Sequence, residues 1–329
     1  MLRLAVGGPG VWLRDGATYS GATRASESSL GTLTQVIILG LVQGLTEVLP
    51  VSSSGHLVIV PYLFGWEQPT LAFDVALHVG TLVAVIAYFA GDLAFLATRT
   101  FGVGASSPAE VSLARRTTLL LAIGSVPAAI AGFLLETNLE ATFADPRWAA
   151  SFLLITALML FGIERHRRGR AARAAGLDPR AVDRFDVPPD TGRDESTVTP
   201  VDALVVGVSQ ALAILPGISR SGATIAAGMG MGLSRQAAAR FSFLLAVPII
   251  LGAMVFKLGD LVGADATVGF SGAEVLIGMT VAALSGLWAI RFLLRLVAHA
   301  DLTGFARWAA MVGLLTWAGY AWIGPPSIT

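Results

Sequence analysis

Two stretches of this chain repeat one polar, helix-breaking pattern inside sequence that is otherwise apolar. The first reads Gly40-Leu-Val-Gln43-Gly-Leu-Thr-Glu47-Val-Leu-Pro50-Val-Ser52-Ser53-Ser54-Gly55-His56. The second, 167 residues downstream, reads Gly207-Val-Ser-Gln210-Ala-Leu-Ala-Ile-Leu-Pro216-Gly-Ile-Ser219-Arg220-Ser221-Gly222. Gly40, Gln43, Leu45, Ser52, Ser54 and Gly55 recur as Gly207, Gln210, Leu212, Ser219, Ser221 and Gly222, and the proline alone slips by one position. Polar breaks in hydrophobic sequence are costly, so a duplicated one points to a site and to an internal repeat.

Composition sets the surroundings. The 329 residues are 54% hydrophobic and 13% charged, with a mean hydropathy of +0.72. A soluble domain carries roughly 25% charge, so the chain reads as an all-α polytopic membrane protein. A net charge of zero argues against nucleic acid as a partner, and the absence of cysteine removes disulfides and thiolate chemistry. The four histidines are scattered, with no metal-ligand spacing.

Apolar stretches at 72–97, 112–135, 148–164, 236–258, 272–294 and 308–324 are each about the length of a transmembrane helix. The regions 32–65 and 201–231 are broken midway by the two motifs, which predicts re-entrant helical hairpins, with non-helical backbone lining a cavity. Arginine excess marks 98–116, 165–200 and 291–307 as cytoplasmic; Glu136, Glu140, Asp145, Asp260 and Asp265 mark the other connections as outside. Counting through, the first hairpin starts and ends outside and the second inside. The expected organisation is therefore a flexible tail at 1–31, a first repeat at 32–164, an Arg-rich linker at 165–200 and an inverted second repeat at 201–325.

Within the motifs, Arg220 needs an anion, either Glu47 or a ligand phosphate. Ser52, Ser53, Ser54, Ser219 and Ser221 offer hydroxyls at helix N-termini that favour anions. Glu47 and His56 can move protons, and Ser53 or His56 can attack. This inventory suits phosphoryl transfer on a phosphorylated lipid. Asp74 and His78, four residues apart, read as a structural pair; Gln43 and Gln210 as hydrogen-bonding across the hairpins; Arg235 and Arg240 as interface anchors.

Residues 43–56 and Leu215-Pro-Gly-Ile-Ser-Arg-Ser-Gly-Ala-Thr224 closely resemble the two signatures of the undecaprenyl-diphosphate phosphatases, the bacitracin-resistance family. The resemblance covers about 32–325. It implies hydrolysis of a polyprenyl diphosphate to the monophosphate and phosphate, recycling a glycan carrier lipid at the outer face of the cytoplasmic membrane. By position it makes Glu47, Ser53, His56 and Arg220 catalytic, with Gln43, Ser52, Ser54, Ser219, Ser221 and Thr224 around the substrate. It also implies help from magnesium or calcium, with Glu47 the candidate ligand, and no organic cofactor; a homodimer is a further expectation. Many members have glutamate where this chain has Gln43, which predicts a weaker or differently built cation site. Whether Ser53, His56 or a water attacks stays open. A carrier or flippase on the same repeat is the alternative. A type-2 phosphatidic acid phosphatase fits poorly, because no histidine follows Arg220 before His299.

Overall fold

A computed structural model describes residues 21–143, 145–178, 192–256 and 270–324. Among these the regular structure is helical, apart from one isolated bridge between Arg193 and Leu233. The helices are α1 (Gly21–Val48), α2 (Ser53–Phe64), α3 (Leu71–Tyr88), α4 (Ala90–Arg99), α5 (Pro108–Phe143) and α6 (Pro146–Ala174), then α7 (Pro200–Leu212), α8 (Arg220–Gly230), α9 (Arg235–Phe256), α10 (Gly272–Val297) and α11 (Thr303–Ile323). Local signals place their starts. Thr199 and Asp202 form a capping box that spans Pro200 at the first helical position of α7, and Ser271 and Glu274 form one for α10.

Among the described residues five helices are long and apolar enough to cross a membrane, and the bent α3–α4 pair makes a sixth if it counts as one span. Leu119, Leu158 and Leu284 are exposed on their outer surfaces, as expected of faces that meet lipid. The chain is a polytopic α-helical membrane protein.

Three boundaries differ from the sequence reading. The span expected at 72–97 breaks at Phe89, where α3 and α4 meet at 74°. Arg240 lies over the Phe89 ring at 5.5 Å and bonds Asp92 of α4 at 3.1 Å, which holds the corner. Gly31–Val48 is by itself long enough to cross, so the first arm of the first hairpin is not a half-helix. Helix α6 runs on through the arginine cluster to Ala174, so the linker begins later than 165. Most of the expected tail, Arg180, Pro188-Pro189, Asp260 and Asp265 lie outside the described residues, as do the side chains of Glu136 and Glu140.

Arg235 is more than an interface anchor. Its Nε and Nη2 grip Glu164 of α6 at 2.8 and 2.5 Å, and Glu164 also accepts the Leu302 N–H at 3.0 Å. A carboxylate that is 1% exposed requires such partners. Arg240 likewise pairs with Glu195, at 2.7 Å.

Packing carries the repeat further than the motifs do. Helix α1 lies along α10, and α7 along α5. A Cβ at Gly40 would sit 2.7 Å from the Gly278 carbonyl, and one at its counterpart Gly207 would sit 2.4 Å from the Gly124 carbonyl. The partners are duplicated too: Ile123-Gly124-Ser-Val-Pro-Ala-Ala-Ile-Ala-Gly132 parallels Ile277-Gly278-Met-Thr-Val-Ala-Ala-Leu-Ser-Gly286. Small residues let membrane helices approach closely. Gly207→Val is therefore expected to force α7 off α5 and cost about 1–3 kcal/mol, read as a lower melting temperature in detergent.

Candidate active site

Both sequence breaks become N-termini of short helices. Ser52 caps α2, accepting the Gly55 N–H at 3.4 Å, and Ser219 caps α8, accepting the Gly222 N–H at 3.0 Å. Each cap places a second hydroxyl beside the first, Ser54 Oγ at 3.3 Å from Ser52 Oγ and Ser221 Oγ at 3.2 Å from Ser219 Oγ. The duplicated serines thus cap a short helix in both copies. Ser52 has φ 68° and ψ 104°, the one positive φ at a non-glycine among the described residues. Strain of that kind gathers at functional sites. In the second turn the capping Ser219 has φ −68°, and the positive φ falls two residues earlier, on Gly217 at 103°.

The two turns interlock. Ser221 donates to the Leu49 carbonyl at 3.1 Å. A Cβ at Gly55 would lie 3.0 Å from Gly217 Cα, and one at Gly222 would lie 3.5 Å from Pro50 Cβ. Helix α6 supports the second turn through Thr156, which donates to the Gly217 carbonyl at 2.9 Å and accepts the Ser219 N–H at 3.0 Å. Thr156 is absent from the sequence reading, although a lone hydroxyl mid-span is a signal that could have found it.

Glu47 stands where the turns meet, 8% exposed. Its Oε1 accepts Arg220 Nη2 at 2.5 Å, joining one hairpin to the other. Its Oε2 accepts Ser53 Oγ at 2.5 Å and Gln43 Nε2 at 3.3 Å. Arg220 is thereby half used: Nη1 is buried and has no acceptor among the described residues. A guanidinium N–H left dry and unpaired is costly, so this atom is poised for an anion.

Other expected residues fall differently. His56 donates from Nδ1 to the Ser52 carbonyl at 2.7 Å and accepts the Trp308 indole N–H at Nε2, at 3.1 Å. A carbonyl only accepts and an indole only donates, so the ring is neutral with both nitrogens engaged. Thr224, expected at the substrate, is fully buried behind the turn, its hydroxyl bonded to the Arg220 carbonyl at 2.8 Å and to Ser242 Oγ at 2.6 Å. Gln43 does not reach across the hairpins: it holds Glu47 and approaches Thr81 of α3 at 3.5 Å. The amide of Gln210 is buried with no partner among the described residues. His78 bonds the backbone carbonyl of Asp74, and its Nε2 lies 3.4 Å from Glu47 Oε2.

The donor set does not fit a divalent cation held by the protein. Among the described residues no three His, Asp or Glu side chains cluster to hold a metal. Both oxygens of Glu47 already accept hydrogen bonds from Arg220, Ser53 and Gln43. The arrangement suits anion capture and removal of the Ser53 proton by Glu47.

Comparison with known proteins identifies the family. The family described as "Bacitracin resistance protein BacA" matches residues 36–315. A protein named undecaprenyl-diphosphatase from Gemmatimonas aurantiaca is 38% identical over 88% of this chain and 98% of its own length. One of the same name from Geobacter metallireducens is 40% identical over 84% of this chain and 94% of its own length. A third, from Pelotomaculum thermopropionicum, is 37% identical over 86% of this chain and 95% of its own. With both motifs, the interlocked turns and a match of this extent, the chain belongs to the bacitracin resistance protein BacA family.

Proposed function

We propose that this protein hydrolyses undecaprenyl diphosphate to the monophosphate and inorganic phosphate, regenerating the carrier lipid used in cell-envelope synthesis. The observation that carries the reading is the division of Arg220, with Nη2 on Glu47, the carboxylate that also accepts Ser53 Oγ, and Nη1 buried with no acceptor among the described residues. A terminal phosphate oxygen taken by Nη1 would be held by the same guanidinium that holds the Glu47 carboxylate against Ser53.

The steps balance as follows. Glu47 Oε2 takes the Ser53 proton as Oγ attacks the terminal phosphorus. The bond from phosphorus to the bridging oxygen breaks, and the lipid monophosphate leaves as an anion that needs no proton. Water then attacks the phosphoserine, the P–Oγ bond breaks, and Glu47 returns its proton to Oγ. The protons of the water leave with inorganic phosphate. Hydroxyls and N–H groups at the α2 and α8 N-termini offset the charge gathered on phosphorus. His56, engaged at both nitrogens, holds the strained Ser52 turn.

The duplicated motifs and the duplicated glycine contacts support two halves of opposite topology, one hairpin in each. Together with the arginine-rich inner connections they favour a protein of the cytoplasmic membrane. An opening toward the outer face fits a substrate released outside. On the cofactor, we propose that any magnesium or calcium arrives on the diphosphate, not on Glu47. Manganese titrated into lipid-free protein and followed by electron paramagnetic resonance should show no site tighter than about 1 mM. A tighter site abolished by Glu47→Gln would contradict this.

Hydrolysis separates this reading from a carrier. Purified protein given undecaprenyl diphosphate in detergent should yield monophosphate and phosphate in equal amounts, whereas a carrier would yield neither.

A further inference from the structure

The sequence pairs His78 with Asp74, but the structure gives its ring another neighbour. Nδ1 donates to the Asp74 backbone carbonyl at 2.8 Å, and that acceptor fixes the proton on Nδ1. The other nitrogen, Nε2, faces Glu47 Oε2 at 3.4 Å and donates to that carboxylate when the ring carries a proton on both nitrogens. His78 belongs to α3, outside both broken hairpins, and α3 is held tightly: a Cβ at Gly80 would lie 2.3 Å from the Met279 carbonyl of α10. One turn on, Thr81 donates to the His78 carbonyl at 2.9 Å and stands 3.5 Å from Gln43 Nε2. Helix α3 thus presents a matched pair of polar groups to the Gln43–Glu47 face of α1.

The other partners of Glu47 cannot fix its direction during the reaction. Gln43 rides on the same helix. Ser53 loses its proton and moves to phosphorus, and Arg220 shares its grip with the incoming phosphate. Among the described residues His78 alone ties the carboxylate directly to an element that takes no part in the chemistry.

We propose that His78 is a positioning residue of the phosphatase, keeping Glu47 Oε2 aimed at Ser53 while Arg220 engages phosphate. This rests on the reading that Glu47 takes the Ser53 proton. The test is phosphate release from undecaprenyl diphosphate by full-length wild type, His78→Leu, His78→Gln and Glu47→Gln, with a melting temperature for each. His78→Leu is expected to lose about 100-fold in kcat, with KM and melting temperature near those of wild type. His78→Gln, whose amide nitrogen reaches the place of Nε2, should recover to within about tenfold of wild type. Wild-type kcat in His78→Leu, a loss that glutamine does not recover, or a loss that follows the melting temperature would each overturn the proposal. The Glu47→Gln arm separates the two failures. If it is inactive while His78→Leu is fully active, only the role of His78 fails; if it is fully active, the underlying reading fails as well.

Discussion

Arg220→Ala is expected to lower kcat/KM for phosphate release from undecaprenyl diphosphate about 1,000-fold or more, since one guanidinium here does the work of an arginine finger. The loss has two sources that can be separated. Removing Nη1 takes away the buried donor that meets the phosphate, and removing Nη2 leaves Glu47, 8% exposed, without its counter-charge. Breaking one side of such a pair costs about 3–5 kcal/mol of stability. Arg220→Ala should therefore melt lower as well as turn over slowly. Adding Glu47→Gln neutralises the stranded carboxylate, so the double variant should regain melting temperature and no activity. Arg220→Lys offers a point charge where the site uses a fork, and it cannot bind Glu47 and phosphate along two fixed N–H directions. It should fall between wild type and alanine, with the larger change in KM.

Ser53→Ala carries the second large effect. Its Oγ lies 2.5 Å from Glu47 Oε2, the geometry of a nucleophile against its base. Losing that hydroxyl should lower kcat about 1,000-fold or more and abolish any phosphoenzyme, because members of a catalytic unit fail together. His56→Ala should behave otherwise. The ring is occupied by the Ser52 carbonyl and the Trp308 indole, so its removal relaxes a turn instead of deleting a reacting group. A loss of about tenfold to 100-fold is expected, the range of a misplacement and not of a missing nucleophile. Acid-quenched protein should still show phosphate on Ser53. Phosphohistidine at His56, or turnover in Ser53→Ala near that of wild type, would reverse the assignment.

These expectations also show which parts of the site can be read from sequence. The breaks at Pro50 and Pro216, and the serine caps behind them, are local chemistry, and each folds as the residues dictate. The contact of Glu47 with Arg220, 173 residues apart, is legible because a membrane-embedded arginine has few acceptable partners. Side-chain direction is another matter. Thr224 and His56 sit inside the motifs and look like pocket residues, yet Ser242 and Trp308 on other helices claim their polar atoms. His78 and Thr156 work from outside the motifs and reach the site only through packing. The second duplicated stretch, around Gly124 and Gly278, is too apolar to stand out among so many small residues until the helix contacts single it out. The break at Phe89 escaped the sequence reading because the contacts that hold it come from Arg240, on a different helix.

The central claim is that two half-sites from the two halves of the chain form one catalytic unit, with Ser53 supplied by one hairpin and Arg220 by the other. The most direct test is a cycle of phosphate-release rates from undecaprenyl diphosphate for wild type, Ser53→Ala, Arg220→Ala and the double variant. If the residues act as a unit, the double variant will be no more than a few-fold slower than the worse single, roughly the non-additivity seen in catalytic triads. Losses that multiply, or a single variant that keeps the wild-type rate, would contradict the account.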